Sequence, residues 1–187
     1  MNDPERDLAN EIRDGLWRLR REIKAGSKSA LLIWPMPGKL ACAQRPLRDH
    51  PTYGGSAKAL PEEASAEVLS WVSRIQEEGL RSILCLMHAK EFKYYEPLKL
   101  HPEGLLGLYK ERGLRVHHIP WADPAHAKSE QSRIKLKNRV HEIKVEAYQA
   151  FRELPHPVLL HCSAGIDRSA PVAAYIVLRE REAREAG

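Results

Sequence analysis

Three times along this chain a helix-forming stretch leads into a short apolar run, twice across a glycine. In the stretch 62–78, Val68, Val72 and Ile75 share one helical face, Gly79 stops the pattern, and the apolar run 81–87 follows. A shorter helical stretch near 103–111 ends at Gly113 and leads into the run 114–119. A third, near 134–154, leads into 157–161. Strands separated by helices pair in parallel, because tight turns join only antiparallel neighbours. The order therefore predicts an α/β three-layer sandwich, with a central, mostly parallel sheet of about 4–5 strands flanked by helices. Ligands of such sheets bind beyond the carboxyl ends of the strands.

Before the first of these units, residues 3–24 read as one amphipathic helix. Asp3 can cap it, Pro4 suits its first turn, and Leu8, Ile12, Leu16, Leu19 and Ile23 recur at helical spacing. A strand is expected at 31–34, followed by a connection through Pro35, Pro37 and Gly38, then a long polar surface loop over 45–58. Residues 1–28 are thus an N-terminal amphipathic helical extension, and 29–187 the main domain.

At 187 residues, with 43% hydrophobic content, the chain can bury a sizeable core. Its longest apolar stretch, 170–178, is about half a membrane span, which excludes an integral helical membrane protein. The first residues offer neither a basic start nor an apolar core, so no secretory signal is expected and the expected location is cytoplasmic. Three cysteines, Cys42, Cys85 and Cys162, are too few for a disulfide framework or a four-ligand zinc site, and no metal is expected. A net charge of +5 favours anionic partners, while 6% aromatic content without a stacking motif or finger spacing speaks against nucleic acid.

The chemistry concentrates in 158–169, where an apolar strand, a tight loop and a helix start follow one another. His161, Cys162, Ser163, Ala164, Gly165, Ile166, Asp167, Arg168 and Ser169 form that loop and its edges. Backbone N–H groups converging at a helix N-terminus hold a phosphate-sized dianion, Gly165 allows the close approach, and Arg168 supplies a planar clamp. The same field is expected to bring the Cys162 pKa into the range of about 3.5–7.5 seen for activated cysteines, with Ser169 donating to the sulfur. A buried packing role for Cys162 is the plainer alternative. Gly three places and Arg six places after a cysteine coincide by chance only about once in 300.

The run His161-Cys162-x-x-Gly165-x-x-Arg168-Ser169 resembles the signature loop of the cysteine-dependent protein tyrosine phosphatases. That resemblance implies Cys162 as nucleophile, Arg168 with the loop 163–168 as phosphate holder, and an upstream aspartate as general acid. Asp123, in Pro120-Trp121-Ala122-Asp123-Pro124 and 39 residues before Cys162, matches that acid loop in place and character. The tripeptide Lys137-Asn138-Arg139 imitates part of the pocket loop of the phosphotyrosine-restricted enzymes but falls in a helix. Compact dual-specificity members are the nearer resemblance. The stretch 79–123, with Glu91-Phe92-Lys93-Tyr94, looks like the cyclin-dependent-kinase-associated and bacterial atypical branch. A phosphorylated protein or peptide is the implied substrate, with no cofactor.

Some expectations stay local. Asp167 inside the loop resembles the in-loop acid of phosphoinositide phosphatases, so a phosphoinositide substrate is the alternative, and a non-catalytic phosphate-binding module is the second. His161 is read as an orienting partner of the loop, and His117 and His118 as structural. Lys90, Lys93 and Lys99 can steer anions. Cys85, on a strand expected beside that of Cys162, is the candidate redox partner. The catalytic domain is C-terminally short for the family, so the first helix is expected to pack near the last one. A membrane surface contact through Arg18, Arg20, Arg21 and Lys24 is the alternative.

Overall fold

A computed structural model describes residues 3–123 and 127–187. Helix α1 (Pro4–Lys24) starts where Asp3 accepts from the amides of Glu5 and Arg6, and proline occupies its first turn. Its stripe of Ala9, Ile12, Leu16 and Leu19 is buried, and the helix packs along α7 (Ser169–Glu185). The same apolar cluster takes in the sheet face and α6 (Val140–Glu153). Burying each leucine contributes about 1.5–3 kcal/mol. The side chain of Arg20 is also buried and donates to Asp49 at 2.5 and 3.2 Å. The apolar stripe and one of the four basic residues that a membrane contact would use are therefore taken up inside the fold.

Strands β1 (Ile33–Met36), β2 (Leu40–Ala43), β3 (Ser82–Cys85), β4 (Arg115–His118) and β5 (Val158–His161) form one sheet in the order β1-β2-β5-β3-β4. The β2, β5, β3 and β4 pairs are parallel, and β1 is antiparallel at the edge. The expected 31–34 strand lies two residues further on, carrying Pro35 on an edge where a missing donor is tolerated. Strand β2 was expected only as part of a connection. Its four residues are all buried, too short a run to show a period.

The pleat divides the core. Leu40, Cys42, Leu84, Leu160 and Cys162 face α1, α6 and α7. Ala41, Ala43, Ile83, Cys85 and Leu159 face α2 (Ser65–Glu77) and α4 (Gly104–Glu111). This is the three-layer α/β sandwich expected.

Three segments depart from expectation. The stretch 45–58 is not a surface loop throughout, since Arg45, Leu47 and Asp49 are buried. Asp49 is held there by Arg20, Arg48 and Lys24, at 2.5, 3.0 and 3.6 Å. The loop after β3 contains a helical turn, α3 (Ala89–Phe92), and a 3-10 turn over Lys93–Leu98. The single helix expected near 134–154 is two: α5 (Glu130–Asn138), which buries no residue, and α6, which buries Ile143, Ala147, Ala150 and Phe151.

Candidate active site

Strand β5 lies between β2 and β3, and Cys162 follows its last residue. The loop over 162–168 therefore leaves the carboxyl end of the central strand and enters α7. Its backbone is fixed from both sides. The amide of Leu86 donates to the His161 carbonyl at 2.8 Å, and that of Arg45 to the Ser163 carbonyl at 2.9 Å. Gly165 is required twice over: its φ is +80°, and a Cβ there would lie 2.7 Å from the Ala43 carbonyl oxygen.

Arg168 is buried and heavily tied. Its Nη1 donates to Glu91 Oε2 and to the Trp121 carbonyl, each at 2.7 Å, and to the Leu86 carbonyl at 3.2 Å. Its Nη2 donates to Glu91 Oε1 at 2.7 Å. The Nε is buried without a partner among the described residues. A buried donor left without a partner among the described residues fits an anion-binding role. Burial works against the Arg168 charge, but the Glu91 bonds and the charges of Cys162, Glu91 and Asp123 outweigh it and hold the guanidinium above its ordinary value. Arg168 thus feels Cys162, Glu91 and Asp123 at once.

Glu91 was quoted in the sequence only as part of a resemblance, and the structure gives it a place of its own. It is the third residue of α3, where its carboxylate accepts from the His88 amide at 2.6 Å while His88 accepts from Lys90, a reciprocal cap. Burial alone would raise its pKa. The Arg168 hydrogen bond and charge, the His88 amide and the Ser163 hydroxyl bring it below the usual carboxylate value. The cap spacing from His88 to Glu91 was a readable signal, but nothing local pairs Glu91 with an arginine 77 residues away.

The segment on which the general acid is expected reaches the loop through Trp121, whose carbonyl Arg168 holds and whose ring is buried. Asp123, two residues on, is half-buried, and its charge acts on Arg168. Asp167 is the exposed residue of the stretch Ser163–Arg168.

His161 lies on the face opposite Cys162. Its Nδ1 is 3.1 Å from the Cys162 carbonyl and its Nε2 3.4 Å from the Tyr109 hydroxyl, with Trp71 and Tyr109 edge-on around the ring. Burial lowers its pKa to about 4, so it is a neutral positioning ring. The Ser169 hydroxyl departs from expectation: it is buried and bonds to nothing among the described residues, so no donation to the Cys162 sulfur is made. The start of α7 places this serine inside the core rather than at the loop mouth. His118 bonds the Met87 carbonyl at 2.7 Å, and His117 lies 3.4 Å from Glu146.

Cys85 stands in register with His161 on the neighbouring strand, but in the apolar cluster opposite that of Cys162. Cys42 shares the Cys162 cluster. Burial raises both thiols, that of Cys85 to about 12. Lys90, within α3, and Lys93 and Lys99, after it, are exposed, and Lys137, Asn138 and Arg139 lie at the end of α5. A cavity of about 410 Å³ lined by Leu31, Gln44, Trp71 and Arg74 contains none of Cys162, Arg168 and Asp123, and so is not the reaction centre.

A model of the protein-tyrosine phosphatase family matches residues 98–186, a span that holds Asp123 and the whole loop and leaves out Arg45 and Glu91. Searches of curated proteins and of solved structures return no match. The loop geometry agrees with that match, and residues 98–186 carry the sequence pattern of the protein-tyrosine phosphatase family.

Proposed function

We propose that this phosphatase hydrolyses phosphate monoesters of proteins through a phosphocysteine, with the range of a dual-specificity enzyme. The Cys162 thiolate attacks phosphorus, a P–S bond forms, and the P–O bond to the leaving group breaks. Asp123 gives its proton to the departing oxygen. Water then attacks phosphorus, Asp123 takes one of its protons, the P–S bond breaks, and inorganic phosphate leaves with the thiolate restored. Arg168 and the loop amides hold the equatorial oxygens throughout.

The observation that carries this reading is the set of bonds on Arg168, which leaves its buried Nε without a partner among the described residues while the same guanidinium holds the Trp121 carbonyl. The exposure of Asp167, against the tie of the Trp121–Asp123 segment to Arg168, favours Asp123 as the acid over an in-loop acid. Cys162→Ser should abolish hydrolysis of an aryl phosphate while the variant melts within a few degrees of wild type. Retained turnover sinks the mechanism, and wild-type binding of phosphopeptide without turnover indicates a binding module. A panel of phosphotyrosine peptide, phosphothreonine peptide and phosphoinositide distinguishes the substrate classes. Exclusive hydrolysis of the lipid defeats the protein-phosphatase reading.

A further inference from the structure

We infer that Arg45, outside the signature loop, is a positioning residue of the phosphate site: its buried guanidinium sets Ser163 and adds a positive charge that a bound phosphate dianion balances. The inference rests on the phosphatase reading above. Strand β2 runs parallel to β5 with Ala43 beside His161, so the residues after Ala43 are carried to the loop after Cys162. There Arg45 holds Ser163 by both its main chain and its side chain. Its amide donates to the Ser163 carbonyl at 2.9 Å, and its Nε lies 3.2 Å from Ser163 Oγ.

The remaining bonds of this guanidinium go to neutral oxygens: the Tyr95 hydroxyl at 3.2 Å and the Gly55 carbonyl at 2.8 Å. The Tyr94 ring lies 4.8 Å and the Tyr95 ring 5.7 Å from its Cζ. Tyr95 stays a neutral phenol, pushed up to about 12 by burial, and donates to the Pro46 carbonyl. Among the described residues no carboxylate lies within ion-pair distance of Arg45. Asp49, four residues on, is engaged by Arg20, Arg48 and Lys24. Glu91 is spanned by both terminal nitrogens of Arg168.

Of the two buried guanidinia beside the loop, Arg168 therefore has a carboxylate partner and Arg45 has none within ion-pair distance among the described residues. A buried charge without a counter-charge is costly, and it is sustained where a ligand supplies the opposite sign. A phosphate monoester dianion does so. A purely structural arginine, tying Gly55 and Tyr95 together, would need its donors but not its charge.

The test is inhibition by tungstate, a tetrahedral dianion, of aryl phosphate hydrolysis by the full chain and by Arg45→Met and Arg45→Lys. Melting temperatures are measured alongside. Arg45→Met should raise both the tungstate inhibition constant and KM at least fivefold, with a smaller fall in kcat. Arg45→Lys should stay within fivefold of wild type on both. A smaller change in Arg45→Met, or a lysine variant beyond fivefold, overturns the inference. Should Arg45→Met fail to fold, Arg45→Lys decides by the same limit. A wild-type chain that neither turns over nor is inhibited by tungstate instead refutes the phosphatase reading, and the inference with it.

Discussion

The signature loop and the acid segment meet at Arg168, yet they are built in opposite ways. On the loop side Cys162, Ser163, Gly165, Ile166 and Arg168 are all buried, and main-chain bonds from Arg45 and Leu86 clamp the strand end and the loop. On the acid side Trp121 is buried and its carbonyl is held by Arg168, but Asp123 is half-buried and the following helix α5 buries nothing. The difference assigns two tasks. In the proposed mechanism, holding phosphate belongs to a part fixed by the sheet, whereas placing the acid depends on one arginine that Glu91 in turn holds in position.

The sharpest division of those tasks comes from Asp123→Asn. It should lower kcat/KM, which reports on phosphorylation of the thiol, by about 10² to 10⁴ for an alkyl phosphate and far less for an activated aryl ester, because in that step only the poor leaving group needs its proton. Tungstate inhibition should stay unchanged. An equal loss for both esters, or the same pattern from Asp167→Asn, would break the division.

Next in size is Glu91→Ala, which leaves the buried Arg168 unpaired and should cost about 3 kcal/mol of stability, read from urea unfolding. It should also weaken phosphate holding and acid placement together, since Arg168 serves both. Glu91 titrates below its ordinary value in the fold, so its contribution is full above the unfolded-state pKa near ~4.3 and is lost as pH falls through the folded value. The variant should therefore show a flatter loss of stability on acidification. A steeper loss than wild type contradicts the pairing.

A smaller effect tests the rigid side. His161 is neutral in the fold down to about pH 4, while in the unfolded chain it takes a proton near ~6.5. The unfolded state then binds more protons between those values, so stability should fall as pH drops from ~6.5 to 4, by on the order of 3 kcal/mol at most. His161→Asn should lose part of that slope. A wild type more stable at pH 5 than at pH 7 would contradict a ring held neutral by burial.

Much of the rigid half was legible in the sequence for the reason that makes it rigid. The strand Val158–His161 and the apolar face of α1 are continuous patterns, and the loop residues are adjacent in the chain. Glu91 and Arg45 were not seen as site residues because their roles lie in partners far along the chain, 77 and 118 residues away. Strand β2 was missed because four buried residues beside Pro37 and Gly38 have no period to show. Without β2 the sequence could not assign sheet faces, so it could not separate Cys42, on the Cys162 side, from Cys85 on the other. The break at Arg139 was hidden too, because α5 is helical by local chemistry alone, with Ser129 capping it and no face to bury.

In the proposed mechanism Cys162 carries the phosphoryl group, and Asp123 acts on either side of that intermediate. The direct measurement is a rapid acid quench of Asp123→Asn during turnover of an activated aryl phosphate, followed by peptide mapping for bound phosphate. Slowed hydrolysis should let the thiophosphate build up on the peptide containing Cys162, with none in Cys162→Ser. Phosphate found on another residue, or steady turnover with no phosphorylated peptide at any quench time, would contradict the account.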